Sequence, residues 1–431
     1  MTTIATDARP SFGEAFLLWL KIGCINFGGP AGQIALMHRT LVDEKKWVDE
    51  ARFLHALNFC MLLPGPEAQK LATYLGWLMH GVRGGLSAGI LFVLPGAFVM
   101  LGLSLLYALG RGIPLVDGAL FGIKAAVLVI VVEALVRIGR RSLKSRLLIG
   151  VAAAAFIGIF FLDLPFPLIV ALAAVVGFFI AKPQTTAPGE KIPGRWRQAL
   201  TATLVGLALW WAPVAAAVLL LGTSHVFVDI GIFFSKLAVV SFGGAYALMA
   251  YMAQQAVESY GWMSAPEMVD GLGLAETLPG PLIKVTQFVG FLAAYRDAAP
   301  FSPVGAAVLG AALTTWVTFV PPMMLIFAGA PFVEQLRSNQ RLSGALDAIT
   351  AAVVGVILNL TIWFVLHVLF ADVTEARAGP LRWYAFDPLA IDLKVSALAI
   401  VAAVLAFVFH RGLVQLVAIM AALGIAVRLV S

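Results

Sequence analysis

Five long stretches of this chain are predominantly apolar: Leu86–Leu109, Leu115–Val136, Leu200–Leu221, Val304–Ala328 and Leu346–Phe370. Each is long enough to cross a bilayer as a helix, which takes about 20 residues. Polar positions gather in short clusters between them. Two other apolar segments are too short to cross alone: Phe53–Leu63 and Leu71–His80. They flank the sequence LPGPEAQK, which begins at Leu63. Proline lacks an N–H and disfavours helix in the residue before it, so Pro64-Gly65-Pro66 ends one helix and starts another. The pattern predicts an all-α polytopic membrane protein with broken or re-entrant helices, because lipid demands that each segment satisfy its own backbone.

The pattern also repeats. KIGCINFGG at Lys21 returns as KLAVVSFGG at Lys236, and LPGP at Leu63 returns at Leu278, both 215 residues on. Trp47 matches Trp262 at that offset. Further along the offset becomes 226, and Pro95 matches Pro321. The extra residues fall near YRDAAPFSP. This predicts two homologous halves, residues 1–181 and 200–431, joined by a basic cytoplasmic linker at 182–199. The second half carries an extra leading helix, Leu200–Leu221.

Charge then assigns sides. The loop at 138–146 holds four basic residues and no acid, while its counterpart Ala371–Lys394 holds four acids and three bases. The loop at 37–52 has four bases, and its counterpart Gln254–Glu267 has none. Cytoplasmic loops carry the basic excess. The halves are therefore expected to be inverted-topology repeats, an arrangement typical of secondary transporters. The mean hydropathy of +0.96 and 12% charged residues set the chain well apart from soluble domains, which carry about 25%. The net charge of +6 is accounted for by these loops, so no nucleic-acid partner is implied. The polar first eleven residues predict no cleavable signal peptide before Phe12.

The candidate chemistry sits at the breaks. A helix N-terminus at membrane depth offers free N–H groups to an anion. Candidate substrate contacts are Lys21, Asn26, Gly28, Gly29, Pro64, Gly65 and Pro66 in the first half. Lys236, Ser241, Gly243, Gly244, Pro279, Gly280, Pro281 and Lys284 follow in the second. Charges inside a membrane are costly and usually functional, so Glu67, Glu133 and Glu276 are candidates for ion coupling. Bland readings stand beside these: FGG for close helix packing, Glu67 as a helix cap, and Glu133 as an ion-pair partner of Lys124 or Arg137. Basic groups beside helix N-termini imply a small oxyanion as cargo. The six histidines are scattered and predict no metal site. No nucleophile–base pair or phosphate loop predicts an enzyme, and no cofactor is implied. Cys24 and Cys60 form no CxxC.

FGGP with Gln33, Lys45-Lys46-Trp47, LLPGPEAQ, Leu94-Pro95-Gly96, and the second-half FGG, Gly261-Trp262 and LPGP resemble the chromate ion transporter family. The resemblance spans essentially the whole chain and matches the long, two-domain form. It implies efflux of chromate and resistance to it, with sulfate as the look-alike anion, in the inner membrane of a bacterium. Lys70 stands where that family commonly has Gln and is left out of the contact set. The chain is compatible with a homo-oligomer.

Overall fold

A computed structural model describes residues 10–180, 196–242, 245–330, 340–370 and 372–430. Most of the linker expected at 182–199, and both Gly243 and Gly244, lie outside the described residues. In chain order the helices are α1 (Phe12–Ile25), α2 (Gly29–His38), α3 (Glu50–Met61), α4 (Glu67–Gly110), α5 (Pro114–Ser142), α6 (Arg146–Phe160), α7 (Phe166–Ile180) and α8 (Trp196–Leu221). They continue as α9 (Val226–Val239), α10 (Ala245–Gln254), α11 (Ala265–Glu276), α12 (Val285–Arg296), α13 (Pro303–Gly329) and α14 (Gln340–Leu369). A hairpin of β1 (Val373–Ala378) and β2 (Leu381–Phe386) precedes α15 (Leu393–Ala403) and α16 (Leu413–Val430). Six helices among the described residues are long and apolar enough to span a membrane: α4, α5, α8, α13, α14 and α16. The fold is all-α apart from the hairpin.

The expected break in the first half is present. Helix stops at LPGP between α3 and α4, and α4 breaks again at His80 and Gly81, where the backbone leaves helical φ/ψ. The second half makes the same stops as separate elements, α11, α12 and α13.

The repeat is written into the backbone as well as the sequence. α3 and α11 have bounds that differ by the 215-residue offset at both ends. Each half also carries a short π-helix, at Arg39–Glu44 and Gln255–Ser259. The amide of Trp47 donates to Leu41 C=O at 2.9 Å, and the amide of Trp262 donates to its equivalent, Ala256 C=O, at 2.8 Å. α3 is capped by Asp49, which accepts the Arg52 amide at 2.8 Å. At the equivalent place Ser264 opens α11, and its amide donates to Glu267 at 2.9 Å. Such caps satisfy orphan N–H groups and set where each helix starts.

The chain forms two compact units, each drawn from three stretches. The first comprises Met1–Leu101, Lys182–Phe242 and Leu278–Ser343. Its core gathers Trp19, Phe53, Phe59, Leu71, Leu75 and Phe92, all essentially inaccessible. Small residues let its helices approach closely, as in other membrane bundles. A Cβ at Gly23 would fall 2.0 Å from Leu91 C=O.

The second unit comprises Gly102–Ala181, Gly243–Thr277 and Gly344–Ser431. In it α5 packs along α16, α15 and α11. The hairpin is pinned there by Arg382. Its amide donates to Phe161 C=O at 2.8 Å. Its guanidinium donates to Ile159 C=O at 2.7 Å and Phe160 C=O at 3.2 Å, and meets Asp163 at 2.9 Å. The arginine thus satisfies carbonyls that the end of α6 leaves open. Burial pushes the nearby Glu258 carboxyl up, and Arg382 pulls it back.

Candidate functional site: two crossed turns

The two Pro-Gly-Pro turns lie in the first unit, and each is bonded to the other half of the repeat. Gly65 donates its N–H to Ser241 C=O at 2.8 Å. Gly280 donates its N–H to Asn26 C=O at 3.1 Å. Gly65 and Gly280 are repeat equivalents, and so are Ser241 and Asn26. The bonds therefore form a reciprocal pair. Both glycines have positive φ, +107° and +97°, a region that other residues enter only at a cost.

The turns also seat on each other's proline-containing helices. A Cβ at Gly65 would lie 2.5 Å from Pro322 Cγ in α13. At the equivalent place in α4, a Cβ at Gly96 would lie 2.0 Å from Pro279 C=O. Two glutamines span the halves in the same crossed sense. Gln69 donates to Phe319 C=O at 3.2 Å, and Gln287 donates to Ala97 C=O at 3.0 Å. Proline in each helix disturbs the i→i−4 ladder nearby, and side-chain amides supply donors to carbonyls in those stretches. Gln33 donates to Gly280 C=O at 2.6 Å and to Asn26 C=O at 3.1 Å, while Asn26 donates to Phe92 C=O at 3.3 Å.

Lys284 is the residue that stands out. It is 0% exposed, and its Nζ has no hydrogen-bond partner among the described residues. The ammonium lies against Gly96 and Gly280: a Cβ on either would fall 2.0 Å or 2.7 Å from Nζ. Lys70, by contrast, donates its Nζ to Leu63 C=O and so closes its own turn. Its burial is nearly the same, 1% exposed. A buried charge without a partner costs several kcal/mol even after relaxation. Lys284 is thus a buried basic group without a counter-charge at hydrogen-bond distance among the described residues. Asn26 Oδ1, Gln69 Oε1 and Gln287 Oε1 are also buried without hydrogen-bond partners among the described residues.

The structure brings Gly65 to Ser241, and separately gathers Asn26, Pro279, Gly280 and Lys284, with Pro64, Pro66 and Pro281 completing the turns. Gly28 and Gly29 form the left-handed entry to α2, at φ +91° and +69°. Lys21 and Lys236 sit at equivalent places on α1 and α9 with exposed side chains. Glu67 is half-buried at the start of α4. The other two coupling candidates lie in the second unit. Glu276 accepts a hydrogen bond from Tyr246 at 2.9 Å. Glu133 pairs with Arg137 at 3.3 Å, one turn along α5. Lys124 pairs instead with Asp270, at 3.4 Å. Asp270 and Gln287 carried no signal beyond being lone polar residues in apolar runs. A groove of about 1250 Å³ lined by α4, α8 and α13 also lies in the first unit. Its wall is overwhelmingly apolar, which suits hydrocarbon better than an oxyanion.

The family model described as "Chromate transporter" matches residues 13–178 and again 228–427, starting 215 residues apart. The chain belongs to the chromate transporter family. It is 35% identical over 375 residues to a "Chromate transport protein" of Pseudomonas aeruginosa, covering 84% of this chain and 83% of that protein. A "Probable chromate transport protein" of Synechococcus elongatus is 27% identical, covering 79% and 81%. A "Chromate transport protein" of Cupriavidus metallidurans is 26% identical, covering 84% of each. No solved structure matches the chain. As a member of that family with six helices among the described residues fit to span a membrane, it is a multi-pass membrane protein.

Proposed function

We propose that this chain exports chromate from the cytoplasm across the bacterial inner membrane and thereby confers resistance to it. It works as a secondary transporter, by alternating access between inverted repeats spanning 1–181 and 200–431. The observation that carries the reading is Lys284, a fully buried ammonium with no partner beside a crossed pair of turns. The cargo supplies the missing counter-charge. The N–H groups opening the helices after Pro66 and Pro281 replace part of its hydration shell. Gly28, Gly29, Gly65 and Gly280, with Gly243 and Gly244, let backbone approach it closely. The exposed Lys21 and Lys236 raise the local anion concentration. Expelling a dianion from a cell negative inside is downhill by about 4.6 kcal/mol per 100 mV, at about 2.3 per charge. Glu67, Glu133 and Glu276 are where the first half and the second unit offer carboxylates for ion coupling.

The test is labelled chromate uptake into everted inner-membrane vesicles, with and without excess sulfate. The expected result is uptake that sulfate blocks only in part and that Lys284→Gln abolishes. Robust sulfate uptake with no chromate uptake would keep the site and overturn the cargo. Wild-type uptake by Lys284→Gln would overturn the site.

A further inference from the structure

The second unit holds a buried carboxylate that none of the chemistry above uses. Asp270 lies mid-way along α11 and is 1% exposed. Lys124 from α5 stands 3.4 Å from its Oδ1. The Tyr107 hydroxyl from the end of α4 donates to its Oδ2 at 2.9 Å. Arg111, in the α4–α5 turn, donates to the Tyr107 hydroxyl at 2.9 Å and meets Glu267 of α11 at 3.3 Å. Among the described residues, those are the charged and titratable groups seen to face Asp270. The Tyr246–Glu276 pair belongs to the far end of α11.

We infer that Asp270 is the proton-binding group that couples transport to a proton gradient, with Lys124 as its counter-charge and Tyr107 as its hydroxyl partner. Three observations carry this. Asp270 pairs with Lys124 inside α5, a helix long and apolar enough to span a membrane, and an ionisable group in such a place is costly and is kept chiefly on ion and proton routes. Polar groups run from Asp270 toward the surface, since the side chains of Arg111 and Lys124 are 47% and 25% exposed. Glu276 is less deeply buried, at 9% exposed, and among the described residues it bonds Tyr246 with no cation at ion-pair distance, Arg137 acting on it only from farther off. Glu133 lies in a solvent-open pair one helical turn long. Finally, Asp270 falls on the repeat position of His55, so both halves place a titratable side chain at this point in the third helix of the repeat.

The chemical step is a protonation alone. A proton from water on one side adds to the Asp270 carboxylate, giving the acid, and later leaves to water on the other side. The Tyr107 hydroxyl donates to the ionised carboxylate and accepts from the acid. No other bond forms or breaks.

The direction of coupling rests on the export reading; the proton site does not. In everted vesicles with an acid lumen, one proton exchanged per chromate raises luminal accumulation about tenfold per pH unit. Asp270→Asn should lose that response yet still exchange labelled for unlabelled chromate at equal pH, and Asp270→Glu should keep the response. On purified protein, acidification should raise a carboxylic-acid C=O band in the infrared difference spectrum that Asp270→Asn lacks. A gradient response in Asp270→Asn equal to wild type, or an unchanged band, overturns the assignment. Should that variant fail to fold, Asp270→Asn/Lys124→Gln removes both charges and takes its place, with the same outcomes deciding. Wild-type vesicles that take up no chromate would overturn the export reading, while the infrared measurement still decides the proton site.

Discussion

The two compact units treat buried charge in opposite ways. In the first, Lys284 is sealed from solvent with nothing to bond. In the second, Asp270 is equally buried but faces both a lysine and a tyrosine. A protein can hold a charge in a low-dielectric interior by pairing it or by leaving room for a partner that comes and goes. On the reading proposed above, the first unit leaves its buried cation for a visiting anion, while the second holds its own counter-charge and changes by gaining or losing a proton.

The sharpest way to break this comparison is to fill the crossed turns. Gly65→Leu and Gly280→Leu each force a side chain into positive φ, and at Gly65 into the Pro322 ring. Strain and overpacking should cost about 2–4 kcal/mol and reduce vesicle uptake to background. Normal transport by both would dissolve the idea of a site at the turns.

Lys284→Gln separates stability from function. Removing an unpaired buried charge should stabilise the purified protein, because it removes a desolvation penalty of roughly several kcal/mol and leaves only the smaller cost of a buried amide. It should also lose uptake. A thermal unfolding shift downward would mean that Lys284 is paired in the working protein.

Asp270→Asn should run the other way, destabilising by about 1–3 kcal/mol because Lys124 loses its partner. The second change Lys124→Gln should recover most of that loss. A double-mutant cycle on thermal unfolding measures the coupling, and a coupling near zero would remove the pair from the comparison.

Lys21→Ala/Lys236→Ala touches two exposed lysines. A modest rise in half-saturating chromate is expected, shrinking as salt screens the surface. Smallest of all, Glu133→Gln should change stability by about 0.3–0.5 kcal/mol, the usual worth of an exposed i,i+4 pair. A large effect there would move the buried-charge boundary outward.

Much of this architecture is legible in the sequence because it rests on local rules. Pro-Gly-Pro stops and restarts a helix wherever it occurs. Asp49 and Ser264 cap because of their side chains. A twenty-residue apolar run spans because hydrocarbon leaves it no alternative. The repeat was readable from FGG, Trp and LPGP holding one register, and the paired π-helices follow it. The hairpin at Val373–Phe386 was not readable, since a mixed-charge loop carries no strong strand signal. Its anchor, Arg382, works through carbonyls of α6, some 220 residues earlier in the chain.

By itself, the sequence determined a membrane-spanning helical chain, a duplicated plan, and two glycine turns set between prolines. These depend on spacing and on residue types a few positions apart. Only the tertiary structure decided that each turn bonds to the opposite half, that Lys70 closes its turn while Lys284 is left open, and that Lys124 serves Asp270 rather than Glu133. The crossed turns and the Lys124–Asp270 pair depend on groups that meet across more than a hundred residues, and the contrast between Lys70 and Lys284 depends on how each is packed. Burial, which settles the energy of every charge, exists only once those segments have packed.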